Sequence, residues 1–330
     1  MGKDRISRYI RGNPESYLIA LKGAQYANYR ESWNECGSEQ VLPDRPIQLN
    51  IELTARCNLR CKMCYRSYEN PGQYRSGELS LATVKKLALE ARDLGISSLW
   101  LTGGEPLLHP SFPEVLECLS KCGFLDFWLV TNGLLLDEAT SRLICESGIT
   151  WLSISIDACT DLTYRRIRGG SLAALKNNIE GFLRIREECG KGTPLLRVSF
   201  VQQEDNCAET EAFMSEWADA ADVVDIQSLV SYHFDENSDI SGNSPKKAGA
   251  SFRCPDPFRL VSVLPDGAFA PCCNSFSKTR SPYTAGGGTI SQYWSSEWHK
   301  QFADAIKKHR FDEECRKCIQ SFTVGGVDAI

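Results

Sequence analysis

The sequence predicts an α/β fold: an open, partial (β/α)6 TIM-like barrel followed by a small cysteine-bearing C-terminal module. Three observations predict it. Short apolar runs alternate with helical patterns from about residue 47 to 231. Polar and turn-forming residues collect directly after those runs. A polar, turn-rich stretch at 233–252 then separates the alternation from a compact C-terminal segment. The expected domains are an N-terminal helical extension (1–46), the barrel (47–232), and linker plus module (233–330).

Residues 1–46 carry one helical pattern, over 16–29, and no convincing strand. Strands are expected at 47–53, 98–101, 127–131, 151–156, 195–201 and 223–230, each a short apolar run bounded by turn residues, as buried parallel strands are. Leu81, Val84, Leu87, Ala88, Ala91 and Leu94 fall on one helical face behind Ser80, a good N-cap. Asn206 and Glu209 have capping-box spacing ahead of Phe213 and Trp217, and Gly95, Gly148 and Gly190 stand where helices should end. A last helix is expected around Trp298, Phe302 and Ile306. Six β-α units imply a parallel sheet with right-handed crossovers, too few for a closed eight-fold barrel. In such folds the chemistry gathers at the C-terminal ends of the strands. Those places hold a cysteine loop, then Gly103-Gly104-Glu105-Pro106, Thr131-Asn132-Gly133, and Ser155 with Asp157.

Composition narrows the classes. The 330 residues are 42% hydrophobic and 24% charged, enough for a sizeable core, and a net charge of −5 leaves no basic footprint for nucleic acid. Fifteen cysteines is a high and odd count in a chain too large for a small disulfide scaffold. The N-terminal MGKDRISRYIRGN leads into no apolar signal region, Ile6 breaks the myristoylation pattern, and no stretch is long and apolar enough to span a bilayer. A cytoplasmic protein without membrane contact is expected, its cysteines reduced or holding metal.

Cys57, Cys61 and Cys64 supply three thiolates, one fewer than a closed tetrahedral site takes, and no fourth ligand is adjacent. A 4Fe–4S cluster held by three cysteines keeps one iron open to a small molecule. Nearer the C-terminus stand Cys254, Gly267-x4-Cys272 and Cys315-x2-Cys318. These four thiolates suit a structural zinc or a 4Fe–4S cluster equally on spacing alone. Cys273 is a spare thiol. Cys36, Cys118, Cys122, Cys145, Cys159, Cys189 and Cys207 lack ligand spacing and read as small buried hydrophobes.

The Cys-x3-Cys-x2-Cys loop after the first strand, with Gly-Gly-Glu-Pro after the second, resembles the radical S-adenosylmethionine (SAM) enzymes over residues 47–231. The resemblance implies that Cys57, Cys61 and Cys64 bind a 4Fe–4S cluster whose open iron is chelated by SAM. Reductive cleavage of SAM would then give a 5′-deoxyadenosyl radical that takes a hydrogen from the substrate. It also implies that Gly103 and Gly104 approach the methionyl group and that Glu105 lies near its ammonium. Ser155, Arg168 and, more weakly, Asp157 match contacts to the SAM carboxylate or ribose; strand-end capping is the alternative for Ser155 and Asp157. Met63 stands where the family has an aromatic, and its backbone would meet the adenine. The C-terminal cysteines resemble a SPASM or twitch extension. The tail after Cys318 adds no further cysteine, which implies one auxiliary 4Fe–4S cluster, held by Cys254, Cys272, Cys315 and Cys318. A fully ligated cluster suits electron transfer, so net oxidation of a carbohydrate, an aminocyclitol or another small molecule is expected, with a reductant such as flavodoxin or ferredoxin. The short, helical segment before residue 47 tilts the reading away from peptide substrates. Peptide maturation or epimerisation is the alternative, and a metal-binding scaffold without radical chemistry the non-enzymatic one.

Overall fold

The computed structural model describes residues 5–9, 13–64, 77–229, 253–273 and 281–322. All six expected strands form: β2 (Gln48–Glu52), β3 (Ser98–Thr102), β4 (Asp126–Thr131), β5 (Trp151–Ser155), β6 (Leu195–Gln202) and β7 (Val223–Ser228). They run parallel, each hydrogen-bonded to the next. One face packs against helices. Leu49, Ile51, Leu99, Leu101, Leu129, Leu152, Ile154, Val198 and Phe200 have no exposed surface and join one core with Val84, Leu87, Ala88 and Ala91 of α3 (Leu81–Leu94). Full burial of each such side chain is worth about 1.5–3 kcal/mol, which is why these runs specify strands so firmly. Ser80 caps α3 through the Thr83 N–H at 3.1 Å, and Gly95 ends it in the left-handed region.

Three expectations change. Residues 5–9 form a strand, β1 (Arg5–Tyr9), antiparallel to β7. The single N-terminal helix is two, α1 (Pro14–Lys22) and α2 (Ala24–Glu39), parted by Gly23 at φ 74°. Asn206 makes no capping box: its side chain bonds the Gln203 N–H and the carbonyls of Asp157 and Val201, ahead of α8 (Thr210–Trp217). Between α3 and α8 lie α4 (Phe112–Ser120), α5 (Glu138–Glu146), α6 (Asp161–Ile167) and α7 (Leu172–Cys189).

The C-terminal segment enters the same sheet. β8 (Leu260–Val263) runs parallel to β2, and β9 (Phe269–Ala270) returns antiparallel through a turn at Pro265-Asp266-Gly267. The sheet therefore has nine strands in the order β1-β7-β6-β5-β4-β3-β2-β8-β9 and stays open between its edges β1 and β9. α9 (Ile290–Trp294), α10 (Glu297–Lys307) and α11 (Glu313–Phe322) follow, α10 covering the expected Trp298–Ile306 stretch. The predicted linker at 233–252 lies outside the described residues.

α1 and α2 close the end where the parallel strands begin. Lys22 Nζ donates to the Leu125 carbonyl at 2.7 Å and to Thr150 Oγ1 at 2.6 Å, each one residue ahead of a strand. The Tyr29 hydroxyl reaches Asp126 Oδ2 at 3.0 Å. The loops at the C-terminal ends of the strands form the opposite rim.

Candidate active site

At the rim, Cys57 is exposed and Cys61 and Cys64 are half-buried on the loop after β2. Neighbouring strand ends hold this loop. Gly103 sits at φ 134°, and a β-carbon on Gly104 would fall 2.1 Å from the Arg56 carbonyl oxygen. Gly104 N–H bonds the Thr54 carbonyl at 2.7 Å and Glu105 N–H the Arg56 carbonyl at 2.8 Å. The paired glycines thus let the β3 loop lie directly on the backbone leading to Cys57, a local reason for glycine besides approach to a ligand. Glu105 is fully buried and accepts from Thr131 Oγ1 at 2.7 Å, Asn132 N at 2.8 Å and Leu107 N at 3.1 Å. Burial pushes its carboxyl up and these donors oppose the shift. Asn132 donates from Nδ2 to Asn58 Oδ1 at 2.7 Å and lies 3.9 Å from Cys57 Sγ.

The other side is held by Arg168, which is 8% exposed. Its Nε donates to Asp157 Oδ2 at 2.8 Å, Nη2 adds a second contact to the same oxygen, and Nη1 lies 3.6 Å from Cys61 Sγ. Asp157 also accepts the Val201 N–H at 2.7 Å. Burial raises the Cys61 thiol to about 11 while Arg168 pulls it down. Lys62 N–H bonds the Ile167 carbonyl at 2.7 Å, and Lys62 Nζ grips Asp205 at 2.7 Å. Met63 is half-buried beside it, and Ser155 is half-buried at the end of β5, paired in register with Ser199.

The inner face of the sheet begins below this rim. Trp100, Trp128 and Trp151 stand in register on β3, β4 and β5 and stack with ring centroids 4.9 and 4.6 Å apart. The Arg197 guanidinium lies 5.7 Å from the Trp128 ring, pairs with Asp225 and donates to Ser153 at 3.0 Å. Gln48, Asn50, Ser98 and Ser262 form a second polar string. On this inner face Trp100, Thr102, Trp128, Val130 and Ser155 are half-buried, while Trp151, Arg197, Asp225 and the polar string are buried, so its remaining exposure lies over β3, β4 and the end of β5.

The thiols of Cys254 and Cys315 both lie within electrostatic reach of Cys272 and Cys318, and Cys273 within reach of these two, Asp256 and Glu52. Cys254 precedes β8 and Cys272 follows β9, so both sit where the hairpin opens, against the end of α2. Gln40 donates to the Cys254 carbonyl at 3.1 Å, and Lys307 to the Gln40 carbonyl at 3.1 Å. Arg259 lies over Trp33 with 3.9 Å to the ring centroid. No cysteine is in a disulfide. Among the described residues, no three His, Cys, Asp or Glu side chains converge tightly enough for a single metal ion. In a cubane each thiolate binds a different iron, so its ligands stand farther apart than those of one tetrahedral zinc.

Residues 51–197 match the model of the radical SAM superfamily. A 4Fe–4S cluster and SAM are the cofactors that this superfamily implies. The "Probable GTP 3',8-cyclase" of Methanothermobacter thermautotrophicus is 37% identical over 137 residues, covering 41% of this chain and 44% of that protein. The protein of the same name from Archaeoglobus fulgidus is 35% identical over 134 residues, covering 40% and 43%. The chain thus spans less than half the length of these curated relatives. Among solved structures, BtrN in complex with AdoMet and 2-DOIA aligns with a TM-score of 0.54 at 17% identity, covering 82% of this chain and 91% of that one. Streptococcus suis SuiB bound to S-adenosylmethionine aligns at 0.58 and 13%, covering 94% and 83%. Native anSMEcpe with bound AdoMet aligns at 0.59 and 14%, covering 82% and 88%. At these identities the shared property is the fold. Among the described residues no helix is long and apolar enough to cross a membrane.

Proposed function

We propose that this protein is a radical SAM enzyme that oxidises a small polar molecule, with one auxiliary 4Fe–4S cluster accepting an electron. The observation that carries the reading is the three-cysteine loop of Cys57, Cys61 and Cys64 at the strand ends, contacted by Asn132 on one side and Arg168 on the other. The donor set fits the group: three soft thiolates suit an iron–sulfur cluster, and an N–H directed at a ligating sulfur is one of the protein's levers on cluster potential. When bound, the cluster and SAM supply a carbon-centred radical that removes a substrate hydrogen. The chain's own part is to hold and orient. Arg168 fixes Cys61, Glu105 ties the β3 and β4 loops beneath the cysteine loop, and Ser155 stands at the rim for a cofactor hydroxyl or carboxylate. Met63 offers its backbone to the adenine. The charges of Arg197 and Asp225 on the inner face neutralise each other, which favours an uncharged, hydroxyl-bearing substrate above the tryptophan floor.

Cys254, Cys272, Cys315 and Cys318 hold the auxiliary cluster in this reading, in a SPASM- or twitch-like segment. Four protein ligands leave no site for substrate, so the role is electron transfer. Glu52, at the end of β2, lies within electrostatic reach of Cys273 and so links the inner face to this cysteine set. The names of the curated relatives support a second reading, a nucleotide as substrate, but the similarity covers only 41% and 40% of this chain. Anaerobic reconstitution with iron analysis and SAM separates the outcomes. About eight irons per chain and 5′-deoxyadenosine on reduction are expected from two such clusters. Replacing Cys315 and Cys318 together with serine should halve the iron. Zinc at that site would overturn the auxiliary cluster, and intact SAM under strong reduction would overturn the enzyme.

A further inference from the structure

Gln203 follows β6 at the rim and is 1% exposed. Its Oε1 and Nε2 are both buried without a hydrogen-bond partner. Leaving a buried polar group unmet is costly, and native structures retain such groups for a reason. The fold does not supply one, because the rest of this loop is satisfied. Gln203 N–H donates to Asn206 Oδ1 at 2.8 Å, and its carbonyl accepts from Asn206 and Cys207 at 3.1 and 2.9 Å. Asn206 Nδ2 donates to the carbonyls of Asp157 and Val201, both at 3.0 Å.

The loop is also latched to the cysteine loop. Asp205, two residues on, is held by Lys62 Nζ at 2.7 Å and by Arg166 at 3.3 Å. Lys62 lies between Cys61 and Met63, and Asp157 beneath the loop positions the arginine that touches Cys61. The orphaned carboxamide therefore belongs to the segment tied to the Cys61–Cys64 side of the rim.

We propose that Gln203 recognises the adenine edge of SAM; the inference rests on the radical SAM reading of this rim. A carboxamide presents a donor and an acceptor side by side, and adenine presents its exocyclic amino group beside the N7 acceptor, so two hydrogen bonds pair them on that edge. The methionyl end of SAM carries an ammonium and a carboxylate, which call for charged partners, and a neutral amide does not match them. Turning the carboxamide from its closed-off position onto the base satisfies both of its atoms at once.

The test uses the anaerobically reconstituted protein and the Gln203→Met and Gln203→Leu variants, with affinities from calorimetry. The probes are SAM and its deaminated analogue S-inosylmethionine, in which an acceptor replaces the amino donor. Wild type should prefer SAM by about tenfold, and both variants should bind SAM about tenfold more weakly without that preference. The melting temperature of the metal-free protein should hold or rise, since no partner is lost. Unchanged SAM affinity in the variants overturns the inference. So does a fall in metal-free melting temperature with affinity intact, which would assign the amide to a buried water. Absence of SAM binding by wild type would instead sink the underlying reading, and the inference with it.

Discussion

Arg168 shows how one side chain links the sheet to the cysteine loop. Its guanidinium is divided between Asp157 and Cys61 Sγ, while Asp157 holds φ at 64°, where residues with a β-carbon are uncommon. Sequence resemblance assigned both residues to cofactor contacts. The structure gives them a prior task, because a carboxylate buried at strand level and an arginine on the next helix end can only be seen to meet in three dimensions. Removing the carboxylate leaves a buried guanidinium uncompensated, a loss of about 3–5 kcal/mol. Asp157→Asn is expected to lower the melting temperature of the metal-free protein by several degrees, and the Asp157→Asn/Arg168→Met pair to recover part of it; an unchanged single variant would refute the coupling. His299 supplies a pH effect. It is fully buried, 3.1 Å from the Tyr293 hydroxyl, and burial pushes its pKa down to about 4. The unfolded chain, titrating near 6.5, binds the proton first as pH falls. Stability is therefore fully present above about 6.5 and declines towards 4, by at most about 3 kcal/mol. Urea titrations across this window should show the slope, and His299→Phe should flatten it.

At the scale of elements, the six parallel strands and their helix face were legible because fully buried apolar side chains recur on the helix-facing side of short runs bounded by turn residues. What escaped had no such run. β8 has four residues and β9 two, and the Pro265-Asp266-Gly267 turn between them was read only as part of a cysteine spacing. β1 gains its strand identity from pairing with β7, a long-range contact without a local signature. Asn206 and Glu209 have the spacing of a capping box, but competing backbone groups on β6 claim the asparagine. The glycine pair after β3 was legible as a motif, while its tightest constraint was not. Gly104→Ala would press a β-carbon to 2.1 Å from the Arg56 carbonyl oxygen and separate the β3 loop from the backbone before Cys57. The expected result is a clear loss of iron from the Cys57 site on reconstitution, with the helix content of the chain retained by circular dichroism. Full iron occupancy would show that the contact relaxes at no cost.

The whole molecule joins its two cysteine sets through one sheet and one N-terminal helix. β8, next to the strand that leads to Cys57, carries Cys254 ahead of it, and α2 packs across both the beginning of the sheet and the C-terminal set. Gly37 is the point of closest approach: a β-carbon there would lie 2.9 Å from Pro255 Cβ and 3.2 Å from Arg259 Nη1. Ser38 and Gln40 add backbone and side-chain contacts to Arg253 and Cys254. The sequence separated an N-terminal extension from a C-terminal module by two hundred residues, and no periodicity could join them. A bulky residue at Gly37 tests the connection, because it must move α2 away from the segment after Cys254 without touching the rim. In Gly37→Leu, iron should fall from about eight to about four per chain while SAM affinity at the Cys57 site is kept. Loss of iron from both sites would mean that α2 supports the entire sheet, and unchanged iron would mean that the C-terminal cysteines hold their geometry without it.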